Sequence, residues 1–121
     1  MGNSWQYRYD TVWINRSDWT NVHLGSNTTL NTDSNVTHNL NATIDKLLIK
    51  VFVSTDGTDA NAFELLGFEY GNLGWMPYYV DNNNILIQTG SSGCSYLDSA
   101  GTAIIIDTEN WYYKIKVWYL G

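Results

Sequence analysis

The chain has very little of several things. It holds one cysteine in 121 residues, Cys94, so no intrachain disulfide is possible and stability must come from burial or from association with other chains. Six cations, Arg8, Arg16, Lys46, Lys50, Lys114 and Lys116, stand against 12 acidic residues, for a net charge of −6 and a pI near 4.5. That balance leaves no basic stripe to neutralise phosphates and argues against nucleic acid as a partner. The longest apolar runs, Leu47 to Ile49, Val51 to Val53 and Ala103 to Ile106, are far too short for a membrane span, and no charged-then-apolar leader opens the chain. No membrane insertion is expected. There are only 3 Glu and 4 Lys, and no stretch sustains apolar residues at i, i+3, i+4 and i+7 through two turns, so almost no helix is expected.

What the chain has in abundance is Asn (14), Thr (12), Ser (9), Tyr (9) and Trp (6), a palette of strands and turns. Hydrophobic residues make up 44% of it, enough for a compact core. Strand-like runs follow one another at Tyr7 to Ile14, Trp19 to Leu24, Val36 to Leu40, Lys46 to Val53, Phe63 to Tyr70, Trp75 to Val80, Ile85 to Thr89, Thr102 to Ile106 and Tyr112 to Leu120. About nine short runs separated by turn residues predict an all-β fold, a single small antiparallel β-sandwich over residues 1–121. Alternation places Leu47, Ile49, Val51 and Val53 on a core face. In the last run Tyr113, Ile115, Val117 and Tyr119 oppose Tyr112, Lys114, Lys116 and Trp118, whose lysines put that face in solvent or at an edge.

Asp56-Gly57 and Asn82-Asn83-Asn84 read as hairpin turns, rich in residues that tolerate positive φ. Gly90-Ser91-Ser92-Gly93 and Asp98-Ser99-Ala100-Gly101 bracket a piece carrying Cys94, Tyr96 and Leu97, an ordered loop or very short strand. Pro77, the only proline, makes its strand an edge strand or one that starts late. The opening Met1-Gly2-Asn3, followed at once by a strand-like run, reads as a domain from a longer polypeptide.

No flanking sequence around any serine or Cys94 resembles a nucleophile elbow or thiol-enzyme signature, and His23 and His38 read as polar strand residues. The acidic cluster Asp56, Asp59, Asn61 and Glu64 fails the calcium-loop pattern, because Gly57 comes second rather than sixth. Candidate carboxylates for glycoside hydrolysis exist in Glu64, Glu69, Asp98 and Asp107, but the sequence does not set any two at the required separation. Neither catalysis nor a metal or other cofactor is expected. Four N-glycosylation sequons begin at Asn15, Asn27, Asn35 and Asn41, against about 2.4 by chance in this composition.

Fifteen Trp and Tyr are too many for the centre of so small a core, so several must lie at the surface or in an interface. An aromatic ring stacks on the apolar face of a sugar while Asp and Asn bond its hydroxyls, and no large positive charge is needed. The loops offer that mixture in Asp18 and Trp19, Trp75 and Tyr78, Tyr96 and Asp98, and Asn110 and Trp111, which are the candidate ligand-binding residues.

Taken in order, Tyr9-Asp10-Thr11-Val12-Trp13, Asn35-Val36-Thr37-His38-Asn39-Leu40, and Leu47 to Val53 ending at Asp56-Gly57 resemble the small sandwich domain found at the ends of phage tail fibres and in H-type lectins. Gly74-Trp75 leading to Tyr79-Val80, Asn84 to Gly90, and Trp111 to Trp118 are similar to that family's closing strands. The resemblance implies a homotrimer that binds saccharides through loops near the protomer boundaries. It implies a place on a virion tail fibre or outside the cell, in the C-terminal part of a longer fibre-like protein. Arg8 and Arg16 lie too early to match the lectins' sugar-contacting arginine, so no sugar site is carried over residue by residue. The expected function is a non-catalytic receptor-binding or carbohydrate-binding module that recognises cell-surface glycans. The alternatives are a structural trimerisation or capping domain without sugar binding, and a secreted H-type-like lectin.

Overall fold

A computed structural model describes residues 5–10, 14–15, 28–29, 36–66, 71–106 and 111–120. These form eleven strands: β1 (Trp5–Asp10), β2 (Ile14–Asn15), β3 (Thr28–Thr29), β4 (Val36–Thr37), β5 (Leu47–Ser54), β6 (Ala62–Leu65), β7 (Trp75–Asp81), β8 (Asn84–Thr89), β9 (Cys94–Leu97), β10 (Ala103–Ile106) and β11 (Tyr112–Leu120). The helical elements among the described residues are two single 3-10 turns, Ile44–Lys46 and Asp59–Asn61. The fold is all-β and every pairing is antiparallel.

One sheet runs β1-β11-β5-β6, with β2 also on β11; a second has β8 between β7 on one side and β3 and β4 on the other; β9 and β10 form a two-stranded hairpin. The expected core face of β5 is the buried one: Leu47, Val51 and Val53 are buried, and Ile49 packs against them. In β11 the buried set is Tyr113, Ile115 and Val117. Val36, Ile85 and Ile87 from the second sheet, and Cys94 and Ile106 from the hairpin, join them in one core cluster. A polar bond also ties the two sheets together: the Trp75 indole N–H in β7 donates to the Leu65 carbonyl in β6 at 2.9 Å, inside the core.

The lysine-bearing face of β11 points outward but is no edge. The strand lies between β5 on one side and β1 and β2 on the other, and Lys116 sits directly opposite Lys50. Neighbours soften that like-charge pair: Lys50 meets Glu64 at 3.2 Å, and Lys116 lies 5.6 Å from the centre of the Phe52 ring.

Two turns hold the first sheet and its neighbours in register. Gly57 has φ +80° in the β5–β6 connection, and Asp56 accepts bonds from the Thr58 hydroxyl at 2.7 Å and from the Asn61 amide at 2.6 Å. These bonds, the Thr58 hydroxyl foremost, pull the Asp56 carboxyl down to about 2. A Cβ on Gly57 would sit 3.2 Å from the Tyr112 ring. Gly57→Ala is therefore expected to cost about 1–2 kcal/mol, mostly for forcing an L-residue into left-handed backbone. Urea denaturation checks this, and an unchanged midpoint would contradict it.

The Asn82-Asn83 turn between β7 and β8 is a hairpin as expected, but it does not use positive φ. Among the described residues the non-glycine positions with φ above zero are Asn39 (58°) and Asn41 (50°), in the segment that docks on that turn. There the His38 N–H donates to the Asn83 carbonyl at 2.9 Å, and the Ala42 N–H to the Asn82 carbonyl at 2.8 Å. The strand therefore stops at Thr37, and His38 is not a strand residue. His38 is 4% exposed; its Nδ1 accepts the Leu40 N–H at 3.1 Å, which places the ring proton on Nε2. Nε2 has no hydrogen-bond partner among the described residues.

Burial lowers the His38 pKa below its usual value, against the opposing pull of the Asp81 carboxylate. Below about pH 6.5 the unfolded chain takes up a proton that the folded chain refuses. Stability should be full above that pH and fall as pH drops through it, by at most about 1.4 kcal/mol per pH unit, levelling below the folded value. Denaturation midpoints of wild type and His38→Gln between pH 5 and 8 test this. Equal slopes for the two proteins would refute it.

Pro77 lies in a strand whose second edge pairs with nothing among the described residues, as its sequence implies. The Gly90 N–H donates to the Gly74 carbonyl at 2.8 Å, one step outside the Trp75–Thr89 pair, so that pair is of the non-hydrogen-bonded kind. Alternation puts the Pro77–Ile87 pair in the same class. The missing N–H of Pro77 is thus on the open edge and costs the β7–β8 ladder nothing.

Candidate functional site

Of the eight candidate ligand-binding residues, Asp18, Trp19 and Asn110 lie outside the described residues. The other five do not form one site. Trp75 and Tyr78 line one depression, Tyr96 lines another with Trp111 packed against it, and Asp98 belongs to neither. The Asp98 carboxylate accepts the backbone N–H groups of Ala100 and Thr102, each at 2.9 Å, and so holds the β9–β10 turn. Its oxygens serve the fold, as an Asx-turn predicts.

The first depression, of about 220 Å³, is built where two loops close over the outer face of the β7–β8 ladder. The loops at 71–74 and 90–93 are joined by backbone hydrogen bonds: Gly74 N–H to the Gly93 carbonyl at 3.0 Å, Gly90 N–H to the Gly74 carbonyl at 2.8 Å, and Ser92 N–H to the Asn72 carbonyl at 3.0 Å. Glycines make this approach possible, with Gly74 at φ 128° and Gly93 at φ 102°. The Cys94 thiol, buried beneath, reaches the Gly74 carbonyl at 3.4 Å.

Strand alternation then decides which side chains face a visitor. Trp75 points inward, is 8% exposed and has given its N–H to Leu65, so it is a wall of the site rather than a stacking platform. Met76 and Tyr78, alternate residues on the outward face, are 48% and 51% exposed. Gln88 is the register partner of Met76; it donates to the Thr89 carbonyl at 3.1 Å, an arrangement that leaves Oε1 as an acceptor. Asn72, exposed, and Ser91 complete the rim. The sequence grouping missed Asn72, Met76, Gln88 and Ser91. The available signal was the outward parity of β8, in which Gln88 is the polar member between buried Ile87 and Thr89.

The second depression, about 340 Å³, is lined by Phe63, Glu64, Leu66, Ser95, Tyr96, Leu97 and Ala103. Its floor is an aromatic cluster: Phe63 and Tyr96 rings lie 4.7 Å apart, and Trp111 meets Phe63 edge-on at 6.1 Å. Leu66 and Leu97 are 65% and 69% exposed, so this groove is far more apolar than the first. Its one carboxylate, Glu64, is taken by Lys50 at 3.2 Å.

The members of the acidic cluster have their own partners: Asp56 within its turn, Glu64 on Lys50, and Asp59 on Lys114 at 3.5 Å. Among the described residues no group of three or more His, Cys, Asp or Glu side chains is placed to hold a metal ion. Among the described residues the carboxyls of Asp56 and Asp81 are both pushed down, Asp81 by the Asn83 N–H and then by the Asn84 amide. That direction suits turn anchors and is the reverse of what a general acid needs.

No family model, no curated protein and no solved structure matches the chain.

Proposed function

We propose that this chain is a non-catalytic carbohydrate-binding module that recognises cell-surface glycans, as a receptor-binding domain at the tip of a phage tail fibre does. One observation carries the reading: a preformed depression, its loops tied by backbone hydrogen bonds, sets the exposed ring of Tyr78 beside Asn72, Gln88 and Ser91. An apolar platform ringed by uncharged donors and acceptors matches a pyranose, which has an apolar face and a girdle of hydroxyls. Because the loops are already ordered, little conformational entropy is lost on binding.

A glycan array of bacterial and animal saccharides, with mass by light scattering on the same sample, tests the proposal. Tyr78→Ala should weaken the best array signal about tenfold, ~1.4 kcal/mol, with the oligomeric mass and melting temperature unchanged. Unchanged binding would remove Tyr78 from the site.

A second reading, a structural domain that self-associates as a trimer, is favoured by the Phe63–Tyr96–Leu97 groove. In a chain of net charge −6, that surface is apolar and its one carboxylate is neutralised, so copies of the chain could meet there without like-charge repulsion. A trimer silent on every glycan would favour it.

A further inference from the structure

We infer that the Tyr78 depression takes uncharged sugars and rejects acidic ones such as sialic and uronic acids. This rests on the carbohydrate-binding reading above and adds a substrate class to it. No Asp, Glu, Lys, Arg or His lines the depression among the described residues: its polar side chains are amides and hydroxyls. The described lysines are elsewhere: Lys46, Lys50, Lys114 and Lys116 lie in or beside β5 and β11 of the other sheet.

A sugar carboxylate entering this depression would lose hydration and gain no cationic partner. It would do so in the field of a chain with net charge −6. A neutral pyranose has no such cost. Its apolar face can cover Met76 and Tyr78, and its hydroxyls can donate to Gln88 Oε1 and exchange bonds with Asn72. The same argument makes neutral-sugar binding insensitive to salt.

The test uses the intact chain and matched probes: lactose and N-acetyllactosamine oligosaccharides against their sialylated forms, and the methyl ester of trigalacturonic acid against the free acid. Neutral members should bind at least about tenfold tighter than their acidic partners, with affinity constant between about 50 and about 300 mM salt. Gln88→Lys should narrow that preference about tenfold by placing a cation on the rim, with no change in melting temperature. Tighter binding of the acidic probes by wild type, abolished in Tyr78→Ala, would overturn this inference and leave the carbohydrate reading standing. Silence toward every probe would overturn both. A neutral preference that Gln88→Lys does not move would place the discrimination at another surface and overturn the assignment.

Discussion

Replacing Gly90 by alanine should lower stability by about 3 kcal/mol and cut glycan binding more than tenfold. A methyl group at this position would lie 2.1 Å from the Asn72 carbonyl oxygen, 2.7 Å from its carbon and 2.9 Å from the Gly93 oxygen. All three are backbone atoms, so no side-chain rotation relieves the clash. Gly90 does not have positive φ, and a Gly→Ala change at such a position ordinarily stabilises by about 0.4–1 kcal/mol through the unfolded state. Sterics decide the sign here. The 71–74 loop must retreat, breaking the Gly90–Gly74 and Ser92–Asn72 bonds and taking Asn72 away from the rim. Gly101→Ala is the control. Its φ of +82° is strained for an L-residue but nothing lies within 4 Å, so it should cost about 1–2 kcal/mol and leave binding intact. If Gly90→Ala melts like wild type, the close approach of the two loops is wrong.

Trp75→Ala should cost about 3–5 kcal/mol, a large share of the ~5–15 kcal/mol that holds a domain folded. At this chain length that corresponds to a fall in melting temperature of roughly 10–20 °C. Two losses coincide: the indole fills the core at 8% exposure, and its N–H is the partner of the Leu65 carbonyl in the facing sheet. Trp75→Phe separates them, because it keeps most of the volume and leaves the carbonyl without its donor, at about 1–3 kcal/mol. Both are read from denaturant midpoints. A shift of only a few degrees for Trp75→Ala would place the indole outside the core.

Much of this fold was legible in the sequence, and the failures have physical causes. Residues 112–120 announce a strand and its inward face because alternation there is unbroken, and Asp56-Gly57 announces a turn because few residues other than glycine accept φ +80°. The run at Val36 keeps its alternation through His38 and Leu40, yet the strand ends at Thr37, since Asn39 and Asn41 take left-handed backbone to dock on the Asn82–Asn83 turn. Propensity does not reveal which asparagines will do so.

The site was half legible. Trp75 and Tyr78 were grouped by nearness in sequence, but three residues apart on a strand means opposite faces. Gln88 was hidden by an irregularity. Extrapolated from the Asp81–Asn84 pair, the ladder would set Met76 opposite Thr89; the bulge between Tyr79 and Asp81 shifts it by one, so that Met76 faces Gln88. One unpaired residue thereby chooses which side chains meet a ligand.

The edge of β7 that pairs with nothing among the described residues has a consequence for how the protein behaves in company. A strand with an unsatisfied edge is a template on which another chain can zip, and this one carries exposed Met76, Tyr78, Tyr79 and Val80. Pro77 removes a donor from the middle of that edge. Fibre-like stacking through β7 is disfavoured while the side chains of its outer face remain accessible. Under the proposed function, copies held together on one scaffold would keep their Tyr78 faces open to ligand, the condition under which weak individual contacts add up to multivalent attachment.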